Sequence, residues 1–330
     1  MSGYRKLFNA TIYKTCFFDS CCDNRIIRAH AIQNNRILKK LSVDGQVIMI
    51  DYFSEDSFGM NYIGKKQATT FNGFCGYHDT VLFRPIEEKN YIGEKEQEFL
   101  FAYRALAKEY CTKRHCYNFI STILTLINDH RITELESYFP EIKENSDIVH
   151  NLLSIYSPMI DGLDSEIRTL EKYKASMRIN ILNKDYHSIR TTVFRFPTES
   201  RIAVSSLVNI VYDLEGNRIN DLKNPKGKRS PCFLTIFPQE GQTYILFSYF
   251  NKMKNDYGFI SNQIVSMSIE EQKCIVSNII VQYCEDVVFS PELWYSFSEK
   301  KQDSYLKLFK NTIRKKGKLE IDHALNIFEE

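Results

Sequence analysis

TCFFDSCCDNRIIRAHAI (residues 15–32) and FNGFCGYHD (residues 71–79) each carry a close pair of metal-ligating side chains. Four residues separate Cys16 from Cys21, and Gly76 and Tyr77 separate Cys75 from His78. A short loop with two ligands turns tightly enough for both side chains to reach one ion, and two such loops complete a tetrahedron. The spacing predicts a structural zinc ion bound by Cys16, Cys21, Cys75 and His78. Cys22 adjoins Cys21 and offers the same thiolate one residue later, while His30 offers an imidazole in place of His78. The plainer reading is a set of unrelated buried thiols and a surface histidine, and the two paired spacings favour the metal.

The surrounding composition agrees with a metal-stapled module inside a larger globular chain. At 330 residues there is room for two domains with separate cores. Phe (23) and Tyr (20) are abundant, so aromatic packing should dominate the interior. The formal net charge is only +2, which excludes a global electrostatic pull on nucleic acid or an acidic membrane and leaves binding to a local patch. Nine cysteines, an odd count, argue against a disulfide framework and for metal ligation or buried thiols. The opening MSGYRKLFNATIYK is charged and has no apolar h-region, and no apolar run reaches membrane-spanning length. A soluble, cytoplasmic chain with no membrane partner is expected.

Outward from the ligand pairs, residues 1–90 alternate short apolar stretches with Gly, Asn and Asp clusters and hold four of the nine cysteines. From Glu94 the pattern turns helical. Phe99, Tyr103, Leu106 and Tyr110 recur on one face, and Phe119, Ile123, Leu126 and Ile127 extend it to about His130 with one break allowed. Further helical stretches cover 148–157 and 164–182. Strands follow at 187–196, 201–213, PCFLTIFP and 243–250, with turns at 214–217 and 239–242. Helix is expected again at 263–284 and 298–316. Helices, then a strand meander, then helices make an α+β class. The expected division is a zinc module at 1–90, a mainly helical region at 91–185, and an antiparallel sheet domain with C-terminal helices at 186–330.

Between the ligand pairs lies RAHAIQNNRILKKL (28–41), with His30 in a strand-like run and Arg36, Lys39 and Lys40 on a basic amphipathic stretch. Residues 1–90 hold 12 Lys and Arg against 9 Asp and Glu, an excess that clusters near His30. Here the chain resembles the zinc-containing HNH nucleases. In that family a Cys pair precedes a strand ending in a short histidine motif, a loop supplies an Asn, and a second knuckle opens a helix. Arg28 to Gln33 stand at the histidine motif, Asn72 at the middle Asn, and Cys75 to Asp79 at the second knuckle. Ala29 replaces the acid that often precedes the histidine, and Gln33 stands where Pro is common.

The resemblance implies a treble-clef, ββα-metal module acting on nucleic acid as a metal-dependent endonuclease. His30 would activate water, Asn72 would orient the histidine, and His78 or Asp79 (Asp79 alone where His78 binds the zinc) would hold a catalytic Mg²⁺ or Mn²⁺. The arrangement R-A-H-A-I-Q … F-C-G-Y-H-D is also similar to zinc-knuckle proteins among bacterial anti-phage and mobile-element genes. The alternatives are a non-catalytic zinc-knuckle binding module and an adaptor for a partner effector protein.

Other constellations carry less. There is no Walker loop, dinucleotide fingerprint or nucleophile elbow. Lys226–Arg229 and the tail IRKKGK (313–318) read as solvated basic segments. Cys111 and Cys116 lie inside a helical pattern and read, with Cys232, Cys274 and Cys284, as packed thiols.

Overall fold

The computed structural model describes residues 3–18, 25–51, 59–222, 224, 227–314 and 319–329. Its elements run α1 (Gly3–Ala10), β1 (Ile26–His30), a π-helical turn (Asn34–Leu38), α2 (Lys39–Leu41), β2 (Gln46–Asp51), β3 (Gly59–Gly64) and β4 (Thr70–Cys75). The helices α3 (Gly76–Glu87), α4 (Lys95–Asn128), α5 (Ile132–Tyr138) and α6 (Asp147–Asn183) follow. Then come β5 (Ile189–Phe196), β6 (Ile202–Val208), β7 (Cys232–Gln239), β8 (Gln242–Phe250), α7 (Lys254–Phe259) and α8 (Ile269–Tyr283). The series ends with β9 (Val287–Phe289), α9 (Pro291–Ser296) and α10 (Glu299–Arg314). This is a mixed helix and strand chain with antiparallel pairing in its large sheet. No described helix is long and apolar enough to cross a membrane.

The chain divides into two compact units. The first comprises Met1–Ala29, Phe71–Asp79 and Ala107–Arg178, and the second comprises His30–Thr70, Thr80–Leu106 and Ile179–Glu330. In the first unit, Leu7 of α1 packs with Phe119, Ile123 and Leu126 of α4, Leu135 of α5 and the following Phe139 and Ile142. Tyr4 meets Phe119 edge-on at 4.9 Å. The apolar face read from Phe99 onward is buried along an unbroken α4, which stops at a turn where His130 has φ +56°. The stretches 148–157 and 164–182 form one 37-residue helix running through Pro158. Proline costs the helix a hydrogen bond. Burial of Ile167, Leu170, Tyr173 and Met177, with Ile160 and Leu163 on the helical core, outweighs that cost.

The second unit is built on a seven-stranded sheet in the order β3-β2-β9-β6-β7-β8-β5, every pair antiparallel. The four strands expected between 187 and 250 are all present, although β6 stops at Val208. Glu240 (φ +52°) and Gly241 (φ +80°) make the two-residue turn between β7 and β8, with Gln239 opposite Gln242. Two left-handed residues match the twist of a tight hairpin.

The sheet also takes in β2 and β3, from residues that the sequence groups with the zinc module, through the register Ile48↔Phe289. Leu38, Leu41 and Val47 pack there with Ala203 and Val288. The helix expected over 263–284 is interrupted: residues 263–265 belong to a π-helical turn (Ile260–Val265), and the α-helix starts at Ile269. Ser268 and Glu271 form a reciprocal capping box that fixes the start of α8.

Candidate metal centre

Cys16, Cys75 and His78 converge in the first unit. Cys75 closes β4 and His78 lies in the first turn of α3, so three residues of helical spacing place both side chains on one side. Cys16 Sγ is 3.9 Å from Cys75 Sγ and 3.3 Å from His78 Nδ1, and Cys75 Sγ is 3.4 Å from the same nitrogen. All three are buried, with Cys16 6%, Cys75 1% and His78 5% exposed. A sulfur separation of 3.9 Å is far beyond the ~2.05 Å of a disulfide. The backbone N–H of His78 points to Cys75 Sγ at 3.5 Å. Among the described residues this is the sole set of three or more His, Cys, Asp or Glu ligand atoms within 4.8 Å of one another.

The segment carrying Cys16 is held beside β4 by a 2.6 Å hydrogen bond from the Phe17 N–H to the Gly73 carbonyl. Phe17 packs edge-on to Phe74 at 6.1 Å, and Phe18 lies 4.7 Å from the His78 ring. From α6, Lys174 stands 5.1 Å from the Phe17 ring and Arg178 5.6 Å from Phe18. Burial pulls the Lys174 ammonium below its ordinary pKa, while the Cys111 thiol, Glu171 and Cys16 act the other way. Two cations near Cys16 and Cys75 would offset the negative charge that thiolates would bring into an apolar site.

Asn72-Gly73, which also reads as a turn, lies inside β4. The reason is steric. A Cβ on residue 73 would stand 2.5 Å from a Phe71 ring carbon and 2.8 Å from Cys111 Sγ. Cys111 is a packed thiol, its pKa pushed up to about 12 by burial. Gly73→Ala is therefore expected to destabilise the first unit by about 1–3 kcal/mol, the range for overpacking a filled core. A thermal melt of the variant measures this, and an unchanged Tm would show that ring and thiol can yield.

The other sequence-predicted residues fall as follows. Cys21 and Cys22 lie outside the described residues. His30 ends β1, half-buried, with Nε2 3.3 Å from the Lys65 carbonyl. Burial lowers its pKa below 6.5, Arg104 adds to the lowering, and the Lys65 carbonyl and Glu87 oppose it. With His78 turned toward the sulfurs, His30 is not needed as its substitute. Asn72 is half-buried in β4, and Asp79 sits in the first turn of α3, where a carboxylate favours the helix N-terminus.

Compared with known proteins, the chain matches no family model, no curated protein and no solved structure.

Proposed function

We propose that Cys16, Cys75 and His78 hold a structural zinc ion, with Cys21 as fourth ligand, in a treble-clef module that acts on nucleic acid. The observation that carries the metal is the ligand spacing. A tetrahedral ion about 2.3 Å from sulfur and about 2.0–2.1 Å from nitrogen requires sulfur pairs about 3.8 Å apart and sulfur–nitrogen pairs about 3.6 Å apart. The observed 3.9, 3.3 and 3.4 Å lie within a few tenths of an ångström of those values. The treble-clef reading is supported by the order of parts: a cysteine loop, paired β1 and β4, then a helix whose first turn carries the last ligand.

The catalytic role assigned to His30 is general base in phosphodiester hydrolysis. Donation from Nε2 to the Lys65 carbonyl places the ring proton there and leaves Nδ1 with a free lone pair. The lowered pKa keeps the ring neutral at pH 7, the form that can take a proton from water. The resemblance gives Asn72 the orienting role. It makes Asp79 the carboxylate for Mg²⁺ or Mn²⁺, which when bound would offset charge on the phosphate. A role against invading DNA has its support in the resemblance alone.

A plasmid-nicking assay with added Mg²⁺ or Mn²⁺, run beside metal analysis, tests this reading. His30→Ala is expected to keep its zinc and lose about 10²- to 10⁴-fold in cleavage rate. Wild-type cleavage in His30→Ala would remove His30 from the mechanism. One observation favours a second reading. His78 belongs to the sulfur cluster, so Asp79 alone of the second-knuckle residues is left for a catalytic ion. On that reading the module binds nucleic acid or a partner protein without cutting, and DNA shifts in a gel with no cleavage under any metal.

A further inference from the structure

The second unit contains a cavity of about 220 Å³ whose charges do not balance. Arg36, Lys40 and Lys89 line it against one carboxylate, Glu240. Lys40 is ion-paired with Glu199, and Glu240 accepts from the Asn90 side-chain amide at 2.5 Å. The side chains of Arg36 and Lys89 have no hydrogen bond or ion pair among the described residues. A neighbouring cavity shares Lys40 and Pro238, but there Arg201 is matched by Glu292 and Lys40 by Glu199. The surplus of positive charge is thus local to the first cavity. Arg36 is carried on the π-helical turn, closed by a 2.9 Å bond from the Leu38 N–H to the Gln33 carbonyl. Such turns are rare and concentrate at functional sites.

The remaining walls are aromatic, amide and aliphatic, the last from Ile37, Ile86 and Pro238. Phe101 and Phe237 stack at 5.4 Å between centroids, with Tyr91 edge-on to Phe237 at 5.9 Å. The Gln239 side chain bonds both backbone groups of Tyr91, at 2.8 and 3.0 Å, so this wall is set before any ligand arrives. Gln33 is only 4% exposed and gives its amide N–H to the Glu87 carbonyl. Its Oε1 has no partner among the described residues and is left as an acceptor in the cavity that Gln33 lines.

Two unpaired cations suit a phosphate dianion, a ring wall suits a flat heterocycle, and a lone amide acceptor suits an N–H donor on that ring. The volume is below the ~300–1,000 Å³ of pockets that enclose larger ligands, so one nucleotide unit fits the scale better than a dinucleotide. We propose that this cavity binds a nucleoside monophosphate unit, with its phosphate on Arg36 and Lys89, its base against Phe101, and an amino group of the base toward Gln33. The unit is either a free nucleotide or the 5′-phosphorylated end of a strand. The proposal does not depend on the zinc site, and absence of nicking activity leaves it intact.

Isothermal titration of the full chain with AMP, CMP, GMP, UMP, adenosine and inorganic phosphate tests it. At least one amino-bearing monophosphate is expected to bind more tightly than UMP, adenosine or phosphate. The double variant Arg36→Ala/Lys89→Ala is expected to weaken that binding by about tenfold to a hundredfold, the loss that follows removal of charge-assisted hydrogen bonds. Neither side chain has a partner to lose among the described residues, so Tm and zinc content should stay at wild-type values. Absence of binding by every monophosphate, equal binding by phosphate alone, or undiminished binding in the double variant would overturn the proposal. Competition with oligonucleotides bearing 5′-phosphate or 5′-hydroxyl separates the sources. Displacement by the phosphorylated strand alone assigns a strand end, and failure of both strands to displace assigns the free nucleotide.

Discussion

Replacing Cys75 by Ser is expected to strip zinc from the protein and to cause the largest loss of stability of any single substitution in the first unit. Cys75 is 1% exposed, and its sulfur is 3.9 Å from Cys16 Sγ and 3.4 Å from His78 Nδ1. A serine hydroxyl keeps its proton near neutral pH and is a poor ligand for a borderline-soft ion. Without the ion, the Cys16 thiol and the His78 ring stay buried without the metal bonds that would offset their desolvation. Structural zinc contributes about 10–16 kcal/mol to the folding of isolated zinc-finger peptides.

The effect here is smaller, because the core around Leu7, Phe119 and Leu135 does not include the ligands. What loosens is the packing of Phe17 and Phe18 on Phe74 and His78. A drop in Tm of roughly 10 °C or more is expected for a loss of several kcal/mol, with zinc reduced from stoichiometric to trace. Cys232→Ala is the control, since it alters a fully buried thiol of the second unit and should leave the zinc in place. A Cys75→Ser protein with full zinc content would show that the ligands are others.

What was legible in the sequence was local. Cys75 and His78 are readable because three residues at a helix start place both on one side. The strand at 189–196 is readable from its β-branched alternation, and that at 242–250 because it directly follows a Glu-Gly turn. Where the deciding contact is distant in sequence, the reading loses it. Pro158 looks like a break, and contacts distant in sequence carry α6 through it, with Leu152 and Tyr156 before it and Ile160 and Leu163 after it packed on a core from other helices. Gly73 looks like a turn glycine, and only the Phe71 ring and the Cys111 sulfur explain its place in a strand. β9 has three residues, too short for any period to show, yet it joins β2 to β6. The cation cavity is assembled from Arg36 and Lys89 on separate segments, and each alone reads as a solvated charge.

Asn220→Ala should be the most damaging polar substitution in the second unit. Between β6 and β7, the described residues 209–222, 224 and 227–231 include two short bridged segments and no named strand or helix. Asn220 is fully buried among them. Its Nδ2 donates to the carbonyls of Ile210 at 2.7 Å and Ser230 at 3.2 Å, and its Oδ1 accepts from the Ser230 N–H at 2.6 Å. One side chain therefore fastens both ends of the connection. The Tyr257 hydroxyl also donates to the Ser230 carbonyl, so that group keeps a partner after truncation.

The Ser230 N–H and the Ile210 carbonyl do not keep these partners, and each orphaned buried group costs about 1–3 kcal/mol. With the small cavity added, the expected loss is about 3–5 kcal/mol, in the upper tail for single substitutions. It should appear as a lower denaturant midpoint at unchanged m. Asn217→Ala removes a single side-chain bond, from Nδ2 to Asp213 Oδ2 at 2.8 Å, at an exposed turn where water replaces it and the backbone N–H stays on Asp213 Oδ1, and should cost about 1 kcal/mol or less. Asn220→Asp separates the contributions further. It keeps the acceptor for Ser230 N–H but loses both donors and turns an oxygen toward two carbonyls, so it should be no more stable than Asn220→Ala. A midpoint for Asn220→Ala no lower than that of Asn217→Ala would mean that the connection is held by its apolar contacts, Ile210, Val211 and Ile219, and not by this amide.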